Sequence, residues 1–298
     1  MTNVVLAIDG SEQAEHAASF LCQLPLPKPV KVTLVSNVFI PSYEDETIDP
    51  LGRDFRQHQE EETKQFHDRA TSILGDFADS IERKVVHGHI GHSIVKTGED
   101  AHADIIVMGA KGHSQIARML LGSTSDYVAT HAKCNVIVVR GKSDSAATAT
   151  PPTRPLNFTI ALNETSASDA ACAEIEKLDW NPDTSLNLLT VVPLFQSFSQ
   201  DLMPNIVEYR AEQRTAAMRY LEKARDRFEK TSHHISLDII ESPHVGESIV
   251  NEVEQRESDM VVVGDSERST ITRMLLGSTS RFVLRHAQCT VWVARTNR

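Results

Sequence analysis

The sequence lacks the marks of disulfide-bonded, zinc-binding and membrane proteins. There are only four cysteines, with no CxxC pair and no metal-ligand spacing, so we read them as reduced thiols packed as small hydrophobic residues. No apolar run approaches a membrane span, and the start MTNVVLAIDG has no charged region followed by an apolar one. We therefore expect a cytoplasmic protein that does not enter a membrane. The cysteines are Cys22, Cys134, Cys172 and Cys289.

An excess of basic residues is also absent. The chain has 30 Lys and Arg against 41 Asp and Glu, for a formal net charge of −11 and a pI near 5.6. This balance argues against non-specific binding to nucleic acid or anionic membranes, although a local basic pocket remains compatible with it. A composition that is 40% hydrophobic and 24% charged is typical of globular proteins, and 298 residues favour two domains.

Recognisable catalytic motifs are scarce. There is no G-x4-G-K-[ST] phosphate loop, and no His–Asp pair can be assigned to Ser11 as a nucleophile. The string HIGH at His89–His92 matches a motif of class I aminoacyl-tRNA synthetases, but KMSKS is missing. His87, His89 and His92 lack an acidic or cysteine partner at matching spacing, which favours exposed histidines over metal ligands. We assign no catalytic residue.

The most prominent positive feature is an internal repeat. The octapeptide RMLLGSTS occurs at Arg118–Ser125 and again at Arg273–Ser280, and the surrounding match extends at an offset of 155 residues, falling to 154 near the start. A period of this size is a domain length, so the chain is a duplicated domain. The stretch between the copies is rich in Ser, Thr, Ala and Pro. We place the domains at 1–141 and 156–298, with a linker at 142–155.

Each copy alternates strand-like and helix-like stretches. In the first copy, the strands are predicted at Val4–Ile8, Val30–Val38, Val85–Val86, Ile105–Met108 and Val136–Val139. The helices are predicted at Glu12–Leu24, along the apolar face Phe66, Ala70, Ile73, Phe77 and Ile81, and at Ser93–Ala101 and Ser123–His131. Short, continuously apolar strands suit a parallel sheet covered on both faces, so each domain is predicted to be a five-stranded, doubly wound α/β sandwich.

One motif at the predicted strand ends points to a phosphate site. Gly109 and Gly112 are followed by nine residues and then by Gly122-Ser123, giving the pattern G-x2-G-x9-G-[ST]. Glycines allow a positive φ and a close approach of the backbone to a ligand, and a helix N-terminus attracts anions. The hydroxyls of Ser123, Thr124 and Ser125 can cap the helix or bind a phosphate. Lys111 and Arg118 add positive charge, and Asp9 can hold Mg²⁺.

These motifs resemble those of the universal stress protein family, in its tandem two-domain form. The resemblance is carried by VVLAIDGS, ADIIVMGAKGHS, LLGSTSDYV and CNVIVV in the first copy, and by SDMVVVGDSE, LLGSTSRFV and CTVWVA in the second. It implies a Rossmann-like strand order of 3-2-1-4-5. It also implies that two such domains pair through their last strands, here Val136–Arg140 and Val291–Arg295, as an intramolecular pseudo-dimer.

Similarity to the ATP-binding members of that family implies roles for individual residues. Asp9 would contact the metal or the ribose-phosphate region, and the glycines and hydroxyls would surround the phosphates and ribose. The end of the second strand, near Asn37 and Val38, would meet the adenine edge through backbone groups. Asn37 stands where an apolar residue is usual. The implied site comprises Ala7, Ile8, Asp9, Asn37, Val38, Met108, Gly109, Lys111, Gly112, Arg118, Gly122, Ser123, Thr124 and Ser125, with Asp9 as the metal ligand.

The second copy departs from this pattern. Asn163 replaces Asp9, Asp265 replaces Ala110 and Glu267 replaces Gly112. A carboxylate at about 4 Å from a phosphate costs about 4 kcal/mol at an effective dielectric near 20. We therefore expect the second copy not to bind ATP.

Three functions follow from these expectations. The leading one is a regulatory protein in which ATP with Mg²⁺, bound in the first domain, sets a conformation or assembly state that a partner protein reads. The second is a slow ATPase or autophosphorylating enzyme, with Ser123–Ser125 as acceptors. The third is a chaperone-like structural module with a vestigial pocket. AMP or another adenylate remains an alternative to ATP as the bound nucleotide, and a homodimer is compatible with the sequence.

Overall fold

The computed structural model describes residues 1–38, 50–112, 121–141, 154–194, 203–230, 232–265 and 276–295. The chain divides into two compact units, Met1–Pro151 and Pro152–Thr296. The predicted linker lies mostly outside the described residues, so the domain boundaries stay predictions. The pairing of the two units through their last strands also stays a prediction.

The first unit alternates strands and helices along the chain. Its strands are β1 (Thr2–Ala7), β2 (Val30–Asn37), β3 (Ser80–Val86), β4 (Ile105–Gly109) and β5 (Asn135–Val139). Its α-helices are α1 (Glu12–Leu21), α2 (Pro50–Leu74), α3 (Ile90–Asp100) and α4 (Ser123–His131). The strands pair in parallel in the order β3-β2-β1-β4-β5, with Val4 opposite Val32 on one side and Ile105 on the other.

The second unit repeats this plan. Its strands are β6 (Asn157–Ala161), β7 (Ser185–Pro193), β8 (His234–Ser242), β9 (Met260–Gly264) and β10 (Thr290–Ala294). Its helices are α5 (Ser166–Glu176), α6 (Met203–Phe228), α7 (Val245–Gln255) and α8 (Ser278–His286). The parallel order is β8-β7-β6-β9-β10, which confirms the predicted α/β fold and its strand order in both units.

The central strands are buried because helices cover both faces of each sheet. Val5 and Leu6 of β1 and every residue of β5 are buried, as the continuous apolar runs predicted. Burying one such side chain contributes about 1.5–3 kcal/mol. In contrast, most of β3 is partly or fully exposed, and its sequence SIERKVV carries charges suited to the outer edge of the sheet. The hydrophobic core of the first unit therefore lies around β1, β2, β4 and β5.

One helix prediction is wrong at its end. The apolar spacing extended the long helix to Ile81, but α2 ends at Leu74 and is followed by a 3-10 turn, Gly75–Phe77. Gly75 has a φ of +45°, which a continuing helix does not allow. Asp79 then accepts a hydrogen bond from Val30 N through Oδ2 at 2.7 Å, which places Ile81 in β3 beside β2.

Candidate functional site

The candidate site is a pocket at the carboxyl ends of β1, β2 and β4 in the first unit. Its volume is about 470 Å³, part of which is open solvent. Crevices at this edge of an open parallel sheet, where the strand order reverses, are the usual ligand sites of such folds. The sequence-predicted residues that line it are Ala7, Ile8, Asp9, Asn37, Met108, Gly109, Lys111, Gly112, Thr124 and Ser125.

Three of the predicted residues that the structure describes do not line this pocket. Val38 is buried behind the end of β2, where its N–H donates to Val86 O at 3.0 Å. Gly122 is the N-cap of α4, and Ser123 is exposed at the first position of that helix. Arg118 lies outside the described residues.

The orientation of Asp9 is set by the turn into α1. Its Oδ1 accepts hydrogen bonds from Ser11 N at 3.0 Å and from Ser11 Oγ at 2.6 Å. Ser11 is also the N-cap of α1, since its Oγ accepts from Ala14 N at 3.2 Å. The intervening Gly10 has a φ of +80°, a conformation that favours glycine. The sequence DGS therefore fixes one carboxylate oxygen of Asp9 locally.

The second oxygen of Asp9 faces Gly112. A Cβ placed on Gly112 would lie 2.5 Å from Asp9 Oδ2, so any larger side chain at this position would collide with the carboxylate. Glycine is needed at 112 because of this close approach and not because of a positive φ, which neither Gly109 nor Gly112 adopts. Of the two properties that glycine allows, these positions use the close approach and not the positive φ.

Gly109 is explained by packing. A Cβ at Gly109 would lie 2.9 Å from Gln13 Cβ and 3.0 Å from Gln13 O, so β4 and α1 can approach only with glycine here. Gly264 in the second unit meets the same restriction, with Ala167 O at 2.2 Å from the corresponding Cβ position. Because both units keep this glycine, the close packing of helix and strand is sufficient to explain it.

Ser125 holds the start of α4 against the end of β4. Its buried Oγ donates to Gly109 O at 2.9 Å and lies 3.2 Å from Ala110 O. Gly122 N donates to Ala110 O at 2.9 Å, which completes the connection. In the second unit, Ser280 Oγ donates to Gly264 O at 2.8 Å. The repeated GSTS is thus first a structural element that docks a helix onto a strand.

An apolar wall of the pocket was missed by the sequence reading. Val35 on β2 and Ile90 and Ile94 on α3 line the pocket together with Ala14. Ile94 is buried, whereas Ile90 is 37% exposed at the start of α3. The signal in the sequence is the apolar pair Ile90 and Ile94 in HIGHSIV, which recurs as Val245 and Ile249 in HVGESIV.

The three histidines near this wall have local structural contacts. His89 caps α3, with Nδ1 accepting from His92 N at 3.3 Å. His87 Nδ1 lies 3.2 Å from Val38 O, which joins the β3–α3 turn to the end of β2. No cluster of three or more His, Cys, Asp or Glu side chains suited to a metal ion occurs among the described residues.

A buried polar chain lies beneath the pocket. Ser36 Oγ donates to Ile8 O at 2.6 Å and lies 2.9 Å from His67 Nε2. His67, on α2, is only 3% exposed, and burial lowers its pKa below the usual value of 6.5, with Arg83 contributing to the same shift and Asp68 opposing it. The Ser36 hydroxyl donates its hydrogen bond to Ile8 O. Neutral His67 is therefore the donor in the second bond, through Nε2–H to Ser36 Oγ.

The same edge of the second unit is occupied by internal hydrogen bonds. Asn163 Oδ1 accepts from Thr165 Oγ1 at 2.6 Å and from Ser168 Oγ at 2.8 Å, and Asn163 N donates to Ser168 Oγ at 2.9 Å. Asp265 accepts from Arg295 Nε at 2.8 Å, and that arginine side chain is only 9% exposed. Glu267 lies outside the described residues. The substitutions at Asn163 and Asp265 therefore change the hydrogen bonding at this edge of the second unit relative to the first.

With this geometry established, comparisons with known proteins identify the family. The family model described as "Universal stress protein family" matches residues 1–140 and 157–295. The chain belongs to the universal stress protein family. It is a tandem member, because the two matched segments are the two copies of the repeat. This confirms the resemblance inferred from the motifs.

Individual universal stress proteins show the same relationship. A Staphylococcus aureus (strain USA300) protein named for this family is 28% identical over 141 residues, which cover 46% of this chain and 83% of that protein. The crystal structure of a universal stress protein from Archaeoglobus fulgidus DSM 4304 has a TM-score of 0.60 and 18% identity, covering 99% of this chain and 96% of the other. A Pseudomonas aeruginosa UCBPP-PA14 structure has a TM-score of 0.61 and 12% identity, covering 99% and 93%. At these identities, the two structures show a shared fold.

No helix in the described parts of the chain combines the length and apolar character needed to cross a bilayer.

Proposed function

We propose that the first unit binds one ATP together with Mg²⁺, and that the bound nucleotide sets a conformation or assembly state that a partner protein reads. The observation that carries this proposal is the division of the pocket into two sides. Val35, Ile90 and Ile94 form an apolar side, while Asp9, Lys111 and the start of α4 form a polar one. A molecule with an apolar planar base and an anionic phosphate chain matches both sides.

Phosphates and Asp9 can share the polar side only with a cation between them. The N-terminus of α4 and the ammonium of Lys111 favour an anion, whereas the Asp9 carboxylate would repel it. Mg²⁺ bound by carboxylate and phosphate oxygens resolves this conflict, since these are the ligands it prefers. Asp9 is therefore the proposed metal ligand, and Gly112 leaves the space beside it that the ion and phosphates need.

The remaining roles follow the same division of the pocket. We assign the phosphates and ribose to the backbone of the glycines and to the α4 hydroxyls, with Lys111 and Arg118 as the basic groups, and the base to the β2 end. The proposed phosphate and ribose contacts are Gly109, Gly112, Gly122, Ser123, Thr124 and Ser125. The proposed contacts around the base are Ala7, Ile8, Asn37 and Met108, which line the pocket, with Val38 buried behind them.

The second unit is proposed not to bind ATP. Asn163 lacks the negative charge that a magnesium ligand supplies, and its side-chain oxygen already accepts two hydrogen bonds. Asp265 adds a carboxylate at the end of β9, where the first unit has the uncharged Ala110. The Asp265 carboxylate is paired with Arg295 Nε at 2.8 Å, so the loss of the magnesium ligand at Asn163 is the difference that disfavours a nucleotide phosphate chain.

Slow hydrolysis or autophosphorylation is the alternative that turnover assays test. We expect negligible phosphate release, because no general base has been assigned in this pocket. The Ser125 hydroxyl donates to backbone carbonyl oxygens, which disfavours it as a phosphate acceptor. Phosphate release or phosphoprotein formation above background would support the enzyme, and failure to bind any nucleotide would leave the structural module.

The test compares ATP binding to the wild type and to Gly112→Glu by calorimetry, with and without Mg²⁺. We expect at least a tenfold loss of affinity, because the new side chain would meet Asp9 Oδ2 and add a second carboxylate. Ser80→Glu is the matched control, since it adds the same charge at the exposed amino end of β3, whereas the pocket lies at the carboxyl ends of the strands. Unchanged ATP affinity in Gly112→Glu would contradict the proposed site.

A further inference from the structure

We propose that the side chain of Asn37 selects the base in this pocket, favouring a purine with an amino group at position 6 over one with a 6-oxo group. This inference rests on the proposed function, because it concerns the ligand of the same site. It assigns the selection to a side-chain oxygen, Asn37 Oδ1, acting as a hydrogen-bond acceptor.

The alternation of β2 places the Asn37 side chain on the pocket face. Val35 and Asn37 both line the pocket, whereas the intervening Ser36 points to the opposite face and contacts His67. Asn37 is the last residue of β2, at the carboxyl edge of the sheet where ligands bind. Its side chain therefore adjoins the proposed position of the base.

One hydrogen bond fixes which end of the amide is the acceptor. Asn37 Nδ2 donates to Gly88 O at 2.8 Å, and a carbonyl oxygen can be paired only with the NH₂ end of the amide. Oδ1 is thus the remaining end of the side chain. It is buried and has no hydrogen-bond partner among the described residues. A buried acceptor without a donor raises the free energy of the empty pocket, and a ligand that supplies a donor recovers that loss.

The chemistry of this oxygen discriminates between purines. The 6-amino group of adenine donates hydrogen bonds, while the 6-oxo group of hypoxanthine or guanine presents a second acceptor to Oδ1. Sites built around a hydrogen bond reject ligands that cannot make it, because their own polar group is then left unpaired. Asn37 would therefore favour adenine and disfavour 6-oxo purines.

Comparison of the units shows that asparagine is not required by the fold at this position. The residue 154 positions later is Val191, inside β7, where strand pairing continues to Pro193 and Ser242. In the first unit, the β2–β3 pairing ends at Asn37 and Val86. Asparagine has a low preference for strands, so valine would be the expected residue on structural grounds alone.

The experiment measures the dissociation constants of ATP and ITP for the wild type and for Asn37→Val, with thermal unfolding of each variant as a check of folding. The wild type should bind ATP at least about tenfold more tightly than ITP, a difference of about 1.4 kcal/mol. Asn37→Val should bind ATP more weakly and lose most of this preference. Asn3→Val is the matched control, because Asn3 lies at the amino end of β1, away from the pocket, where its Nδ2 donates to His102 O at 3.3 Å.

A measurement on the unaltered protein makes the test independent of the variants. ATP methylated twice at N6 has no donor there, and we expect the wild type to bind it about as weakly as ITP. Equal binding of ATP and ITP by the wild type, or an unchanged ratio in Asn37→Val, would overturn the role of Asn37 and leave the ATP proposal standing. Failure of the wild type to bind either nucleotide would overturn the proposed function, and this inference with it.

Discussion

At the scale of single residues, His67 is a buried titratable side chain in the polar interior of the first unit. Its ring is buried beside Ser36, whose hydroxyl in turn bonds the carbonyl of Ile8 at the pocket. Other charged groups near the ring are Arg83 and Asp68, which pair with each other at 2.6 Å. In the second unit, Thr190 Oγ1 makes the equivalent bond to Leu162 O at 3.0 Å, without a histidine. The hydroxyl bond therefore belongs to the fold, and the histidine is an addition of the first unit.

We expect His67 to make the first unit less stable in acid. Burial lowers its pKa in the folded state below 6.5, so the unfolded chain binds more protons as the pH falls below that value. The contribution of neutral His67 is fully present above about pH 6.5 and is lost as the pH falls towards the lowered pKa. Urea unfolding at pH 7.5 and at pH 5.5 measures the effect.

The variant His67→Leu should reduce this pH dependence, since leucine cannot take up a proton. The control is His58→Gln, which removes an exposed histidine from the same helix, where it faces Glu62 at 3.6 Å. An equal loss of stability in acid for the wild type and His67→Leu would show that other groups cause it.

At the scale of secondary-structure elements, the start of α1 joins folding to the candidate site. Ser11 caps the helix and also holds Oδ1 of Asp9. Thr165 caps α5 in the same way, accepting from Ser168 N at 3.4 Å, and donates to Asn163 Oδ1. In each unit, this one hydroxyl thus caps the following helix and also orients the side chain two residues before it. Only in the first unit does it orient a carboxylate that lines a pocket.

Replacement of these two caps separates the tasks. Ser11→Ala and Thr165→Ala should each destabilise their unit by about 1 kcal/mol through loss of the helix cap, as measured by chemical denaturation. Ser11→Ala should also weaken binding of ATP with Mg²⁺, because the hydroxyl donor to Asp9 is gone. Thr165→Ala should leave that affinity unchanged. Equal effects of the two variants on ATP binding would mean that Ser11 does not act through Asp9.

At the scale of the whole molecule, duplication has produced two units with the same fold and different strand ends. Both retain the glycine at the end of the fourth strand and the serine that docks the following helix onto it. Asp9 and Gly112 belong to the first unit alone, and Asn163 and Asp265 to the second. The shared glycine and serine therefore support the fold of both units. The residues that differ are the ones to which we assign the proposed division of function.

We expect one ATP per chain. Equilibrium dialysis or native mass spectrometry at saturating ATP with Mg²⁺ should give a stoichiometry of one, because only the first unit has the proposed site. Asp9→Asn should weaken this binding, since it gives the first unit the amide found at the same place in the second. A second bound triphosphate would contradict the expected inactivity of the second unit.

The sequence by itself determined the fold class, the repeat and most of the pocket lining. Continuous apolar strands and a repeat of about 155 residues are properties of the sequence itself, so they can be recognised without the tertiary structure. Asp9, Gly109 and Gly112 were found because they stand at strand ends or beside helix starts. The end of α2 was misplaced, because apolar spacing does not show where a glycine with positive φ interrupts a helix.

Only the tertiary structure decided what the shared and unshared residues do. It showed that Gly109 makes room for α1 and that Gly112 faces Asp9, two contacts between segments distant in the chain. It also showed that Ser125 docks α4 onto the preceding strand β4. It also added the wall formed by Ile90 and Ile94, which lies on a helix that follows a different strand. The sequence pattern shows which residues are apolar and which are glycines. Which side chains meet at the carboxyl ends of the strands depends on how β1, β2 and β4 are ordered in the sheet.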